Sequence, residues 1–126
     1  MYSLLFSFRG RVNRALFWLI AIGLGIAEAV VLGITFGGVV LAVANPESAR
    51  PPVGALPMIF AVLLCAVFSW IHLAVSVKRC HDRNRSGWFM LVAALPILNV
   101  WYLIEVGFLP GTRGSNEYGP DPLGTR

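Results

Sequence analysis

His81 and Asp82 stand side by side in a run of cations, and they are the residues of this chain best suited to acid–base chemistry. Arg9, Arg11, Arg14, Lys78, Arg79, Arg83 and Arg85 are suited instead to holding an anion. A carboxylate can orient an imidazole as a general base, and a guanidinium fork makes paired contacts to phosphate oxygens. Catalysis needs more than that. Adjacent side chains on a helix diverge, and no nucleophile with a matching partner is evident, so no catalytic residue is assigned. Metal binding meets the same obstacle. The chain has two His and two Cys; Cys80, His81 and Asp82 are contiguous and cannot converge on one ion, and neither C-x-x-C nor H-x-x-x-H spacing occurs. No metal and no cofactor is expected. The reading that remains has Asp82 pairing with an Arg of its own segment or of the Arg9 to Arg14 cluster, with His81 hydrogen-bonding at the same interface.

The elements that must position these residues are membrane helices. Three apolar stretches, 15–44, 57–77 and 88–109, dominate the sequence, and mean hydropathy is +0.74 with only 13% charged residues. At ~1.5 Å rise per residue each is long enough to cross a hydrocarbon core of ~30 Å. Lipid leaves no partner for an open backbone, and the period-two alternation of barrel strands is absent, so α-helix is the form expected. The expectation is an all-α integral membrane protein, a small bundle of three transmembrane helices in a single domain, with a tail over 110–126. The first apolar run ends in Ala42-Val43-Ala44, a pattern also found at signal cleavage sites. It is twice the length of a signal core and carries Glu28, so it reads as a retained helix.

Seven of the ten Lys and Arg lie before helix one or between helices two and three, against Arg50 alone in the loop from Asn45 to Leu56. The positive-inside rule puts the N-terminus and the 78–87 loop in the cytoplasm. The net charge of +4 is thus topological; no soluble face exists to present it to nucleic acid. A simple third crossing, kinked at Pro96, puts the tail outside. The alternative is a half-span hairpin bent at Pro96, which would gather nine basic residues on one side against one.

Within the apolar zone, Ala21, Gly25, Ala29, Gly33 and Gly37 recur every four residues along helix one. That pattern predicts a packing seam, against helix two or a second copy. Glu28 and Asn99 fall at similar depths, counted from the same side, and a charge exposed there would be costly. They are expected to face the bundle, with Glu28 protonated and bonded to Asn99; an ion pathway is the functional alternative. Cys65 and Cys80 are too far apart along one helix for a disulfide. Ser86 is placed to cap helix three, and the Gly-, Asn- and Asp-rich tail reads as consecutive turns.

Three motifs carry a resemblance. Phe8 to Trp18 (FRGRVNRALFW) is similar to an F-x-G-R-x-x-R-x-x-[FY]-W entry motif. Lys78 to Trp88 (KRCHDRNRSGW) is similar to an R-R-x-H-D-x-x-x-S-G-W loop, with Lys78 where Arg is usual. Gly111 to Pro122 (GTRGSNEYGPDP) is similar to a G-T-x-G-x-N-x-Y-G-x-D-P tail. In order and spacing these resemble the bacterial membrane-protein family known as domain of unknown function 805. The resemblance implies a bacterial inner-membrane location and no settled activity.

The functions left open are ranked by these features. First is a non-enzymatic module that binds acidic lipid headgroups, or a partner membrane protein, through Arg9, Arg11, Arg14, Arg79, His81, Asp82, Arg83 and Arg85. An oligomeric transporter or channel using Glu28 comes second, and an enzyme acting on a lipid headgroup through His81 and Asp82 third.

Overall fold

The computed structural model describes residues 2–45 and 55–124. The outer loop with Arg50 and the Pro51-Pro52 pair lies outside the described residues, as does Arg126. The all-α expectation holds: the described residues contain no strand, only one isolated bridge between Asn116 and Gly119. Helix α1 is Tyr2–Phe6, α2 is Arg14–Ala44 and α3 is Ala55–Asp82. Two helices, Arg14–Ala44 and Leu56–Asp82, are long and apolar enough to cross a membrane. The chain divides into two compact units, Met1–Ile22 with Trp70–Arg126, and Gly23–Ser69.

The second unit holds the C-terminal stretch of α2 and the first part of α3. Ala61 is buried there and Glu28 is partly buried. Gly25, Gly33 and Gly37 present an open face: among the described residues nothing comes within 4 Å of a side chain built on any of them. The small-residue stripe, which also includes the exposed Ala29, is therefore not a seam covered by helix two.

The first unit departs from expectation in its third apolar segment. Helix α3 ends on Asn84, which takes a left-handed φ of 56°. Asn84 N–H donates to His81 O at 3.0 Å and Arg85 N–H to Cys80 O at 2.9 Å, so the open carbonyls of the last turn are closed by a Schellman arrangement. Lys78 to Asp82 thus form the end of a helix rather than a loop. The chain then runs as a 3₁₀ helix over Gly87–Ala94, breaks at Leu95, and resumes as α4, Pro96–Leu103, widening into a π turn over Ile104–Phe108. Ser86 occupies the N-cap position of the 3₁₀ helix, but its hydroxyl makes no capping bond.

Pro96 does not kink a continuous helix; it starts one. The residue before Pro is driven out of the helical region, and Leu95 is extended at φ −94°, ψ 120°. Pro96 itself needs no helical donor in the first turn. The amide of Asn99 donates to Ala93 O at 2.9 Å and Asn99 N–H to Leu95 O at 2.8 Å, closing the bend. Asn99 thus holds its own hairpin. Phe89 of the 3₁₀ helix packs edge-on to Trp101 of α4, with ring centroids 5.3 Å apart.

Both ends of this hairpin meet the end of α3. A Cβ at Gly87 would lie 2.8 Å from Val77, Tyr102 lies beside Cys80 and Ser76, and Arg79 Nε donates to Val106 O. The third segment therefore turns back, and the full crossing expected from its length is corrected. Pro96–Phe108 would span only ~20 Å as a helix, short of a ~30 Å core.

Gly107 sits where the returning segment passes Trp18, whose indole N–H donates to Gly107 O at 2.9 Å. A Cβ here would fall 2.9 Å from the Trp18 ring, whereas one at Gly33 would meet nothing within 4 Å. Gly107→Ala should therefore cost about 1–3 kcal/mol by overpacking. Gly33→Ala should change stability by less than about 0.5 kcal/mol. Denaturation midpoints in detergent check the pair, and equal tolerance would remove the close approach at Trp18.

Candidate functional site

The last turn of α3 carries the site. Arg79 and Asp82, three residues apart, share a face of α3, and both are buried, 0% and 2% exposed. The Asp82 carboxylate is held from two directions: Arg79 Nη1 donates to Oδ2, and Arg11 Nε and Nη2 lie 3.0 Å from Oδ1. Arg11 arrives from the segment before α2, where Gly10 takes φ 93° and Val12 N–H donates to Lys78 O at 3.3 Å. The expected joining of the first and second motifs through Asp82 is what the geometry contains.

The guanidinium groups do more than neutralise Asp82. An α-helix ends with carbonyls that lack intrahelical donors, and cations near that end complement its partial negative charge. Here five successive carbonyls at the end of the hairpin each receive a side-chain donor. Val106 O and Leu109 O accept from Arg79 at 2.7 and 2.5 Å, and Gly107 O from Trp18. Phe108 O accepts from Arg14 at 3.3 Å and Pro110 O from Arg83 at 2.5 Å. Arg11 continues the pattern into the tail, donating to Thr112 O at 2.5 Å, Gly114 O at 2.6 Å and Gly119 O at 3.3 Å. Lys78 Nζ donates to Leu4 O and so ties α1 to the same turn.

The tail is a folded cap on this turn. Thr112 donates to Asp82 O from both its N–H, at 2.8 Å, and its hydroxyl, at 3.0 Å. The Asn116 amide donates to His81 O at 2.9 Å, and its oxygen accepts Tyr118 N–H at 2.9 Å, setting the turn that stacks the Tyr118 ring on His81 at 4.0 Å and 4°. The other face of the His81 interaction is Nδ1 against Gly10 O at 3.2 Å. Gly111 passes so close to Asp82 that a Cβ there would fall on the carboxylate. The tail therefore lies at the same end of the unit as the N-terminal segment, and its placement on the opposite side is corrected.

A second acid also belongs to this end. Glu105 is buried at 8% exposure and accepts from Arg83 Nη2 at 2.9 Å, with Arg85 Nε at 3.6 Å. Asp82 is thus not the sole acid of the rim. Glu105 was missed because its position depends on the hairpin. The signal available was an excess of four Lys and Arg beside one Asp, which calls for a further counter-charge.

The eight residues expected to bind a headgroup or partner fall into two sets. The side chains of Arg11 and Arg79 are buried and committed to protein acceptors, Asp82 is buried between them, and His81 and Arg83 are partly buried. Arg9, Arg14 and Arg85 are exposed, and the tail adds Arg113, also exposed. Between the start of α2 and the tail lies a cleft of about 680 Å³ whose lining includes Asn13, Arg14, Ala15, Arg113 and Asp121. Chemically, the buried set can clamp backbone and the exposed set can hold anions. His81 Nδ1 faces Gly10 O and the Asp82 carboxylate is held by Arg11 and Arg79; of the two residues Asp82 alone is on the lining of the cleft. Among the described residues no group of three His, Cys, Asp or Glu is close enough to hold a metal.

A family model described as a protein of unknown function (DUF805) matches residues 5–120. The uncharacterized protein YiiR of Escherichia coli K12 is 34% identical over 142 residues, an alignment covering 93% of this chain and 86% of that protein. The inner membrane proteins YhaH and YhaI of the same strain are each 31% identical, over 92% of this chain and 87% and 86% of their own lengths. No solved structure matches.

Proposed function

The chain belongs to the DUF805 family, which brings no activity with it, and from that premise we propose that it is a non-enzymatic membrane module whose cytoplasmic basic face holds acidic lipid headgroups. In this reading α2 and α3 cross the inner membrane, the 86–110 hairpin re-enters from the cytoplasmic side, and the N-terminus and tail share that side. Nine of the ten basic residues then lie in the cytoplasm, which is the arrangement the positive-inside rule favours.

The observation that carries the proposal is the division of labour among the arginines. Topology alone asks for positive charge, and it does not ask for a buried Arg–Asp clamp that fixes the surrounding backbone. That clamp leaves Arg9, Arg14, Arg85 and Arg113 exposed around one end of the unit. Each basic residue beside an anionic leaflet contributes ~1 kcal/mol.

Native mass spectrometry of the purified protein titrated with lipid tests this. Phosphatidylglycerol should be retained in preference to phosphatidylethanolamine, and added salt should weaken the preference. The double substitution Arg9→Gln, Arg85→Gln should reduce retention of acidic lipids about twenty- to thirtyfold. Equal retention of acidic and zwitterionic lipid by the unaltered protein overturns the proposal.

A further inference from the structure

The exposed arginines are not equivalent. Arg14 and Arg113 line the same cleft, and that cleft opens at the first turn of α2. Asn13 caps the helix there, its Oδ1 accepting Leu16 N–H at 2.9 Å. The N–H groups of Arg14 and Ala15, being in the first turn, have no intrahelical acceptor, and the helix end is partially positive. The two carboxylates on the lining are already engaged. Asp82 is matched by Arg11 and Arg79, and Asp121 accepts Gly114 N–H at 3.1 Å and Leu123 N–H at 3.0 Å. An anion entering the cleft thus meets two exposed guanidinium groups and the amide end of a long helix.

The surface leading away from the cleft is apolar. Ala15 lines it, and one turn at a time along the same helix face follow Leu19 and Ile22, 71% and 56% exposed. A soluble phosphate would use the cationic part alone, whereas a lipid would use both.

We propose that this cleft is a binding site for the phosphomonoester head of a membrane lipid, with the phosphate between Arg14 and Arg113 and the chain lying along Ala15, Leu19 and Ile22. The inference rests on the acidic-lipid reading above and narrows it to one site and one headgroup class. A phosphomonoester carries up to two charges and three terminal oxygens, enough for a fork from each arginine; a diester offers one charge.

The test compares phosphatidic acid with phosphatidylglycerol on the full chain by native mass spectrometry, with inorganic phosphate and glycerol phosphate as competitors. Unaltered protein should prefer phosphatidic acid about tenfold or more. Arg14→Gln, Arg113→Gln should abolish that preference, while Arg9→Gln, Arg85→Gln, which removes equal charge, should weaken both lipids and keep it. Circular dichroism and thermal midpoints confirm that each variant is folded; should the Arg14 and Arg113 pair fail this, Arg113→Gln alone should still reduce the preference. Loss of the preference to the same degree in both double variants, or its survival in a folded Arg14→Gln, Arg113→Gln protein, overturns the site. So does competition by the soluble phosphates at concentrations comparable to the lipid. Acidic lipids bound equally well, both above zwitterionic lipid, overturn the site and leave the broader reading standing; no acidic preference at all overturns both.

Discussion

Asp82→Asn should destabilise the protein by about 3–5 kcal/mol, the loss typical of breaking a buried ion pair from one side. The substitution keeps the shape and removes the charge. Asn Oδ1 could still accept from Arg11, but its NH₂ group would face Arg79 Nη1, donor against donor, in a layer where Arg79 has no exposed surface. The damage spreads because Arg79 also holds Val106 O and Leu109 O, and Arg11 holds the tail at Thr112, Gly114 and Gly119. Glu117→Gln, on an exposed tail residue, should change stability by less than about 0.5 kcal/mol. Detergent-phase thermal or denaturant midpoints measure both. If the two variants match, the Arg11–Asp82–Arg79 cluster contributes charge for topology and nothing to the fold. Arg79→Lys should fall near Asp82→Asn, since an ammonium cannot reach three acceptors with a planar fork.

Hydropathy was enough to place α2 and α3, because a long apolar run leaves the backbone no choice but to satisfy itself. The third segment was ambiguous on the same measure. Its length fits a crossing, and Pro within membrane helices is tolerated, so Pro96 and Asn99 alone did not decide between kink and bend. What decides it is long-range: the carbonyls of 106–110 find donors on Trp18, Arg14, Arg79 and Arg83, the first two of them far from the hairpin in sequence. No local pattern announces a carbonyl's partner ninety residues away.

The clamp was partly legible. Asp82 amid cations, at helical spacing from Arg79, pointed to an ion pair, with an Arg of its own segment or of the Arg9 to Arg14 cluster as the partner. Which arginines would be buried was not legible, because Arg11 and Arg14 have the same composition and nearly the same position. Arg11 precedes the start of α2, on the backbone that Gly10 redirects toward α3, while Arg14 is the first residue of the helix. The small-residue stripe is a different case: the spacing is real, and Gly25, Gly33 and Gly37 face no side chain of this chain among the described residues, which leaves a second copy as the partner the spacing would serve. Close-packing composition does not by itself supply a partner.

A reporter fused after Arg126 should report the same compartment as one fused before Met1, fluorescing in the cytoplasm and showing no periplasmic phosphatase activity. The simple reading of the sequence gives the opposite outcome, so the result is all or none. The bend at Leu95–Pro96 starts the return, but the rim holds it. Putting the tail across the membrane would break the donors from Arg11, Arg79 and Arg83 to the chain beyond Val106, and would strand Glu105 without Arg83. It would also carry Arg113 outward against the charge rule. Pro96→Ala therefore should not move the tail, even though it restores a donor and lets 88–109 run as one helix of ~33 Å. A tail that changes compartment in Pro96→Ala would make the proline the determinant of topology and reduce the arginine clamp to a consequence of it.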